Sequence, residues 1–343
     1  MRIALITDAW TPQINGVVRT LAETVAQLRA AGHAVAVFTP DQFRGIALPG
    51  EPDIKLALFA GRRLGRMIDA FAPEVLHVAT EGPLGWAARA HAQRRRLPLT
   101  SAVHTRFPDY LRARAGIPPA LTTAVLRRFH APARRVLVPT PSLRAELAAA
   151  GFANLALWPR GVDAGRFCPG PRDALDALGL ARPYFLYVGR VAAEKNLPAF
   201  LAADLPGSKI VVGDGPALPG LRARFAKACF LGARDHHELP ALYRAADVFV
   251  FPSRTDTFGL VLLEALACGT PVAALPGCAS EDVLGDSGAG ALTGDLAAAC
   301  RAALAIPRDR AAAYGRGFSW AACTRLFAEA LQASVAEGAS GRS

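Results

Sequence analysis

Short apolar runs alternate with amphipathic stretches along most of the chain. Arg2–Thr7 (RIALIT) is an apolar run ending at Asp8. A Pro- and Gly-bearing loop, Trp10–Gly16, follows, then a helical pattern over Val17–Ala31 closed by Gly32. Val35–Phe38 (VAVF) reads as a second buried strand. Strand, loop, helix, glycine, strand is the βαβ grammar of a parallel sheet. It recurs at Val75–Val78, Leu99–His104 and Val136–Val138, with helical patterns around Pro83–Arg95 and Tyr110–Arg135. These elements predict one doubly wound domain over residues 1–165.

Val162–Leu180 is irregular and rich in Pro, Gly and Asp, and reads as a linker. A second series follows at Phe185–Val188, Lys209–Val212, Ala228–Leu231, Val248–Phe251 and Val272–Ala274, predicting a second Rossmann-like domain over 166–318. Residues 319–343 open with a helix, Ser319–Ala333, which carries Trp320, Cys323, Leu326, Phe327 and Leu331 at helical spacing. It is expected to pack, back toward the first domain, with a loose tail after Glu337. The expected fold class is therefore α/β, with two Rossmann-like doubly wound domains facing across a cleft. In such sheets ligands bind outside the carboxyl ends of the strands, so residues there gain weight as functional.

Composition narrows the function classes. The 343 residues are 52% hydrophobic and 20% charged, which excludes a disordered chain. Charged residues or Pro interrupt every apolar stretch well short of the roughly 18 residues of a spanning helix. The apolar run after Arg2 is too short for a secretory leader, so the expectation is a cytoplasmic protein, peripheral on the inner face of the membrane. The six cysteines include no CxxC pair and read as small buried apolar residues. Net charge is +11, and residues 1–170 carry the whole surplus, with 22 Lys+Arg against 11 Asp+Glu. Arg62, Arg63, Arg66, Arg94–Arg96, Arg112, Arg114, Arg127, Arg128, Arg134 and Arg135 make the clusters. Such a field attracts a polyanion. No nucleic-acid module is legible, whereas basic residues interleaved with apolar ones suit an anionic membrane surface. Pro118–Val138 places Leu121, Val125, Leu126 and Phe129 near one face, either for membrane contact or as an ordinary core-facing helix.

Four strand-end segments carry candidate chemistry. Asp8–Gly16 (DAWTPQING) lacks the dinucleotide glycine fingerprint, which argues against a dehydrogenase. Gly16 before a helix suits either a phosphate approach or a plain turn. Gly189–Asn196 (GRVAAEKN) sets Arg190 and Lys195 at a strand end, where two cations suit a diphosphate or simply face solvent. Val212–Pro216 (VGDGP) lets a base or ribose lie against the Gly213 backbone, or is just a tight turn. The most specific segment is PSRTDTFGLVLLEALACGTPV, from Pro252 to Val272. Amides at Phe258, Gly259, Leu260 and Val261 form a helix start suited to anions. Glu264, inside an otherwise apolar helix, needs strong hydrogen bonds, which ribose hydroxyls would supply.

Together with GR…EKN and GDGP, this segment resembles the retaining family-4 glycosyltransferases of GT-B fold, whose signature is an acidic residue, seven others, then Glu. TDTFG, the ING loop and HTRFPDY look most like the branch that glycosylates diacylglycerol, including sulfoquinovosyltransferases. The resemblance implies a retaining hexosyl transfer, of a hexose or uronic acid, from a nucleotide-diphosphate sugar, UDP-linked by preference, to a membrane lipid. It implies donor contacts from Gly16, Arg190, Lys195, Gly213, Phe258, Gly259, Leu260, Val261 and Glu264. Asp256 would hold sugar hydroxyls, one methylene shorter than the commoner Glu. His104 would contact the sugar or assist catalysis, alongside Asp256, Arg190 and Lys195, and Asp8 and Trp10 would face the acceptor. No cofactor or metal is expected, the nucleotide sugar being a co-substrate, and no DxD-type motif is present. Partners are the donor, the lipid acceptor and an anionic membrane surface through the basic N-terminal half, without nucleic acid. Two alternatives remain: assembly of polysaccharide or lipopolysaccharide, and a non-catalytic nucleotide-sugar-binding protein.

Overall fold

The computed structural model describes residues 1–13, 15–48 and 51–340. Ile14 of the ING loop and the last three residues of the tail lie outside the described residues. The chain divides into two compact units. The first comprises Met1–Pro159 with Trp320–Ser343, and the second Arg160–Ser319.

The first unit runs β1 (Arg2–Ile6), α1 (Gly16–Ala30), β2 (Ala34–Phe38), β3 (Gly45–Leu48), β4 (Glu51–Ala57), α2 (Gly61–Phe71), β5 (Val75–Val78), α3 (Pro83–Arg95), β6 (Leu99–Ala102), α4 (Phe107–Ala115), α5 (Pro119–His130), β7 (Arg135–Val138), α6 (Pro141–Ala149) and β8 (Leu155–Leu157). Six strands pair in parallel in the order β2-β1-β5-β6-β7-β8, with Ile3 in register with both Val35 and Val75. β5 and β6 are buried at every position. Each nevertheless carries polar side chains, which find partners inside the sheet: His77 Nδ1 lies 2.9 Å from the Thr100 hydroxyl. The antiparallel β3–β4 hairpin stands apart from this sheet.

Two expectations change here. The helical stretch over Tyr110–Arg135 is two helices, because Gly116 adopts φ +66 and Pro118 precedes α5. The expected apolar face of Pro118–Val138 also splits: Leu126 and Phe129 are buried, whereas Leu121 and Val125 point outward.

The second unit runs β9 (Tyr184–Val188), α7 (Leu197–Ala202), β10 (Ser208–Val212), α8 (Leu218–Arg224), β11 (Cys229–Gly232), α9 (Leu239–Ala245), β12 (Val248–Phe251), α10 (Leu260–Ala267), β13 (Val272–Ala274), α11 (Cys278–Leu284), β14 (Gly290–Leu292), α12 (Leu296–Ala303) and α13 (Arg308–Gly315). Its parallel order is β11-β10-β9-β12-β13-β14. Phe185, Val211, Val248, Val250 and Ala273 from the sheet form the core with Leu197, Phe200 and Leu296 from the helices. Arg308 pins this unit from within, donating to the carbonyl oxygens of Ala246 (2.7 Å) and Arg244 (2.9 Å). Burial lowers its guanidinium to about 10. The last helix, α14 (Trp320–Ser340), returns to the first unit, where Phe327 lies 4.7 Å from both the Trp158 and His77 rings. The helix runs through the Gly/Ser stretch expected to be loose as far as Ser340.

The two units are thus Rossmann-like doubly wound sheets, in accord with the expected α/β class. Each has one point where the strand order reverses, β1/β5 in the first and β9/β12 in the second. The crevice at such a switch point is where this architecture takes ligands.

Candidate active site

At the second unit's switch point, the loop after β9 meets the loop after β12. Both loops are held from below. Gly213 adopts φ +134, and a Cβ there would lie 1.9 Å from the Gly189 carbonyl oxygen. The turns after β9 and β10 therefore pack backbone on backbone, which only glycine allows. The Tyr187 hydroxyl donates to the Arg190 carbonyl oxygen at 2.8 Å. Burial, with the negative charges of Asp256 and Glu194, pushes that phenol well above its usual range.

Asn196 closes the first loop in a left-handed conformation (φ +56), and its side-chain amide donates to the Pro252 carbonyl oxygen at 3.1 Å. The Ser253 and Thr255 hydroxyls donate back to the Glu194 carbonyl oxygen at 3.5 and 3.4 Å. Across this seam the Lys195 ammonium donates to the Asp256 carboxylate, with side chains 24% and 20% exposed. The sequence assigned these two residues to different parts of a donor. The structure pairs them directly. Arg190 is exposed on the same loop.

The loop after β12 then feeds α10. Gly259 is the residue before the helix, at φ +80, and offers no side chain to cap the first-turn amides. Phe258 and Leu260 are buried and Val261 is half-buried, so the helix start is held by packing. Glu264 is 4% exposed. Its carboxylate accepts from the Tyr243 hydroxyl at 3.0 Å, and His236 Nε2 lies 3.4 Å from the other oxygen. Tyr243 is itself fixed, since Thr270 donates to its carbonyl oxygen. His236 is contacted by Arg166 at 3.0 Å through Nδ1. Sequence reasoning missed Tyr243 and His236. The signal available was Glu264 itself, because an acid in an apolar helix demands buried donors nearby.

In the first unit the switch point is built around Asp8. Its carboxylate accepts from the Leu84 amide (2.9 Å), the Gly85 amide (3.3 Å) and the Thr80 hydroxyl (2.9 Å). Asp8 thus serves as the missing cap of α3, whose preceding residue, Gly82, has no side chain. A Cβ at Gly82 would fall 2.4 Å from the Asp8 carboxyl carbon. Burial raises the Asp8 carboxyl above its ordinary range against the pull of these bonds. Any acceptor contact by Asp8 comes on top of that structural work. Trp10 is half-buried on the same loop. Gly16 is the exposed first residue of α1, which Asn15 caps through the Val18 amide at 3.0 Å. His104 is buried just past β6, edge-on to Trp158 with ring centres 5.6 Å apart. A buried chain unseen in the sequence, Ser101–His130–Glu81, links β6 to α5 at 2.8 and 3.3 Å.

Among the described residues no cluster of His, Cys, Asp and Glu could hold a metal ion. Burial pushes the Cys268 and Cys300 thiols up to about 12, whereas Cys168 and Cys229 are only half-buried, against the expectation for all six. Among the same residues no helix is long and apolar enough to cross a membrane.

Two family descriptions match the chain: Glycosyltransferase Family 4 over residues 14–166 and Glycosyl transferases group 1 over residues 182–309. A GDP-mannose-dependent alpha-mannosyltransferase of Mycolicibacterium smegmatis is 30% identical, over 98% of this chain and 91% of its own. The chain belongs to glycosyltransferase family 4. A sulfoquinovosyl transferase of Arabidopsis thaliana is 30% identical over 80% of this chain and 60% of its own. An alpha-monoglucosyldiacylglycerol synthase of Streptococcus pneumoniae is 28% identical over 90% and 79%. The GT-B fold is seen in the likeness to a sucrose-phosphate synthase of Thermosynechococcus elongatus. That likeness has a TM-score of 0.78 at 21% identity and covers 98% of this chain and all of the other.

Proposed function

We propose that this family-4 glycosyltransferase moves a hexosyl or uronosyl group from a nucleoside-diphosphate sugar to the hydroxyl of a membrane lipid such as diacylglycerol, with retention and without a metal. The observation that carries the donor half is the Lys195–Asp256 pair bridging the two loops at the second unit's switch point. A diphosphate entering there competes with Asp256 for the ammonium. Once Lys195 turns to the phosphates, the Asp256 carboxylate is released to accept from sugar hydroxyls. Arg190 adds a forked cation from the same loop, and together they neutralise charge on the departing diphosphate as it develops. The amides of Phe258–Val261 add a positive helix end. Glu264, oriented by Tyr243, accepts from ribose hydroxyls. In a front-face transfer the leaving phosphate itself takes the acceptor proton, so no protein nucleophile is required.

The relative named as an alpha-monoglucosyldiacylglycerol synthase supports the acceptor half of this reading. For the donor, a second reading is favoured by the mannosyltransferase relatives, whose names specify GDP-mannose. The test is a panel of UDP- and GDP-sugars against a lipid extract, with product anomers read by NMR, beside thermal-shift titration with each nucleotide. A ligand at 100 times its Kd stabilises by about 2.7 kcal/mol. Shifts by nucleotide diphosphates without product on any lipid would refute the acceptor half and leave the donor half standing. Absence of any shift would refute both.

A further inference from the structure

Val162–Leu180 reads in sequence as a linker, yet part of it is built into the wall behind Glu264. The Asp163 carboxylate accepts from the Gly165 and Arg166 amides at 3.0 and 3.2 Å, and its carbonyl oxygen from the Phe167 amide at 2.8 Å. Arg244 of α9 clamps this turn, donating to the carbonyl oxygens of Cys168 at 2.6 Å and Arg166 at 3.3 Å. The turn sets two side chains against the groups that donate to Glu264. Phe167 is buried, its ring centre 5.1 Å from that of His236 and 6.0 Å from that of Tyr243. Arg166 is exposed and reaches the far nitrogen of the His236 ring, with Nη1 3.0 Å from Nδ1. All of these residues belong to the second unit.

Donor and acceptor chemistry fixes the direction of this chain. A guanidinium only donates, so Nδ1 of His236 accepts. The neutral imidazole then carries its proton on Nε2, the nitrogen that lies 3.4 Å from a Glu264 carboxylate oxygen. A proton on Nδ1 would set two donors against each other at Arg166 and turn a lone pair toward the carboxylate. We propose that Arg166 and His236 are positioning residues for the ribose of the nucleotide donor. Arg166 holds the ring in the Nε2–H tautomer, and Glu264 is thereby oriented by two neutral donors, His236 and Tyr243, instead of by a counter-ion. An imidazolium would pair with the carboxylate and compete with ribose hydroxyls for it. Asp163, 3.9 Å from the Arg166 guanidinium, keeps that cation turned along the segment. The inference rests on the reading of Glu264 as the acceptor for ribose hydroxyls and adds the residues that aim it.

Calorimetric binding of UDP and GDP to the full chain, each beside its 2′,3′-dideoxy counterpart, tests it. Wild type is expected to prefer the ribonucleotide by at least about tenfold, the scale of one hydrogen bond to a charged group. Arg166→Met keeps the aliphatic stem and removes the guanidinium. It is expected to lose roughly three- to tenfold in ribonucleotide affinity while dideoxynucleotide affinity holds. His236→Leu should do the same, and the double variant should bind no more weakly than His236→Leu alone, because the arginine acts through the ring. In turnover the loss falls on the donor KM, with kcat held. Nitrogen-15 spectra of histidine-labelled protein, with the His236 signals assigned by their loss in His236→Leu, are expected to show a protonated Nε2 and a bare Nδ1. The proposal is overturned if Nδ1 carries the proton, or if the losses of the two single variants add. It is also overturned if Arg166→Met weakens ribo- and dideoxynucleotide alike, as a structural role or a direct phosphate contact would. A ribose preference that survives Arg166→Met overturns this inference alone. Wild type that binds both nucleotide forms equally, or neither, overturns the ribose role of Glu264 and this inference with it.

Discussion

Tyr243→Phe removes one hydroxyl and nothing else, at the position where the structure makes the sharpest energetic statement. That hydroxyl donates at 3.0 Å to a carboxylate that is 4% exposed. A hydrogen bond to a charged buried group contributes about 1.5–3 kcal/mol, and its loss leaves the Glu264 oxygen without that donor. In a unit the size of Arg160–Ser319 each kcal/mol corresponds to about 2–4 °C. The expected fall in melting temperature is therefore roughly 3–12 °C. All four tryptophans (Trp10, Trp86, Trp158 and Trp320) lie in the first unit, so their fluorescence does not report on this loss. Calorimetry does. Combining the substitution with Glu264→Gln isolates the pair. In the Gln background the charge is gone, and Tyr243→Phe is expected to cost at least about 1 kcal/mol less. Equal losses in the two backgrounds would refute the claim that Tyr243 works through the Glu264 charge. Among variants that fold, weakened donor binding at unchanged kcat marks Tyr243 as a positioning residue.

Lys195→Ala is expected to lower transfer by about 10²–10³ while the nucleotide still binds, as steady-state kinetics beside thermal shifts would measure. Asp256→Asn should leave nucleotide binding intact and reduce turnover, a split that would fail if Asp256 only shielded Lys195. Gly213→Ala would drive a methyl to 1.9 Å from the Gly189 carbonyl oxygen at φ +134, and is expected to destabilise by about 3 kcal/mol or more in denaturant unfolding. Asp8 gives a pH signature. Its carboxyl is raised in the folded state, so the protonated form favours folding and that contribution is lost as pH rises through the folded value. Asp8→Asn cannot titrate. The variant should therefore gain on wild type in melting temperature as pH rises above about 4, and an opposite trend would show that the helix-capping bonds outweigh burial.

The parallel strands were legible because full burial on both faces leaves an apolar run such as VFVF at Val248–Phe251, all four positions buried. The hairpin over Gly45–Ala57 was not. Pro52, Asp53 and Lys55 interrupt its alternation, and an antiparallel ribbon off the sheet has no second covered face to enforce one. β8 and β14 escaped as three half-buried residues each at a sheet edge, unlike the equally short but fully buried β13. Chemistry divides along the same line. Residue type at a strand end marked Lys195 and an acid inside an apolar helix marked Glu264, whereas the role of Asp256 came with the family resemblance.

Their partners depend on topology instead. Lys195 meets Asp256 across 61 positions because β9 and β12 are neighbours in the sheet although β10 and β11 intervene in the chain. The same neighbouring order explains why both residues can be held charged without a ligand. Each neutralises the other in a site only about a fifth to a quarter exposed, where an isolated ammonium or carboxylate would be costly. A diphosphate with an attached sugar offers both at once what they offer each other, anionic oxygens to the lysine and hydroxyl donors to the aspartate. A free sugar supplies only the second, and inorganic phosphate only the first. Selection for the intact donor over its fragments therefore follows from breaking one ion pair and satisfying both halves. Weaker binding of UDP or GDP than of the cognate nucleotide sugar would bear this out, and equal binding would show that the pair stays closed and takes no part.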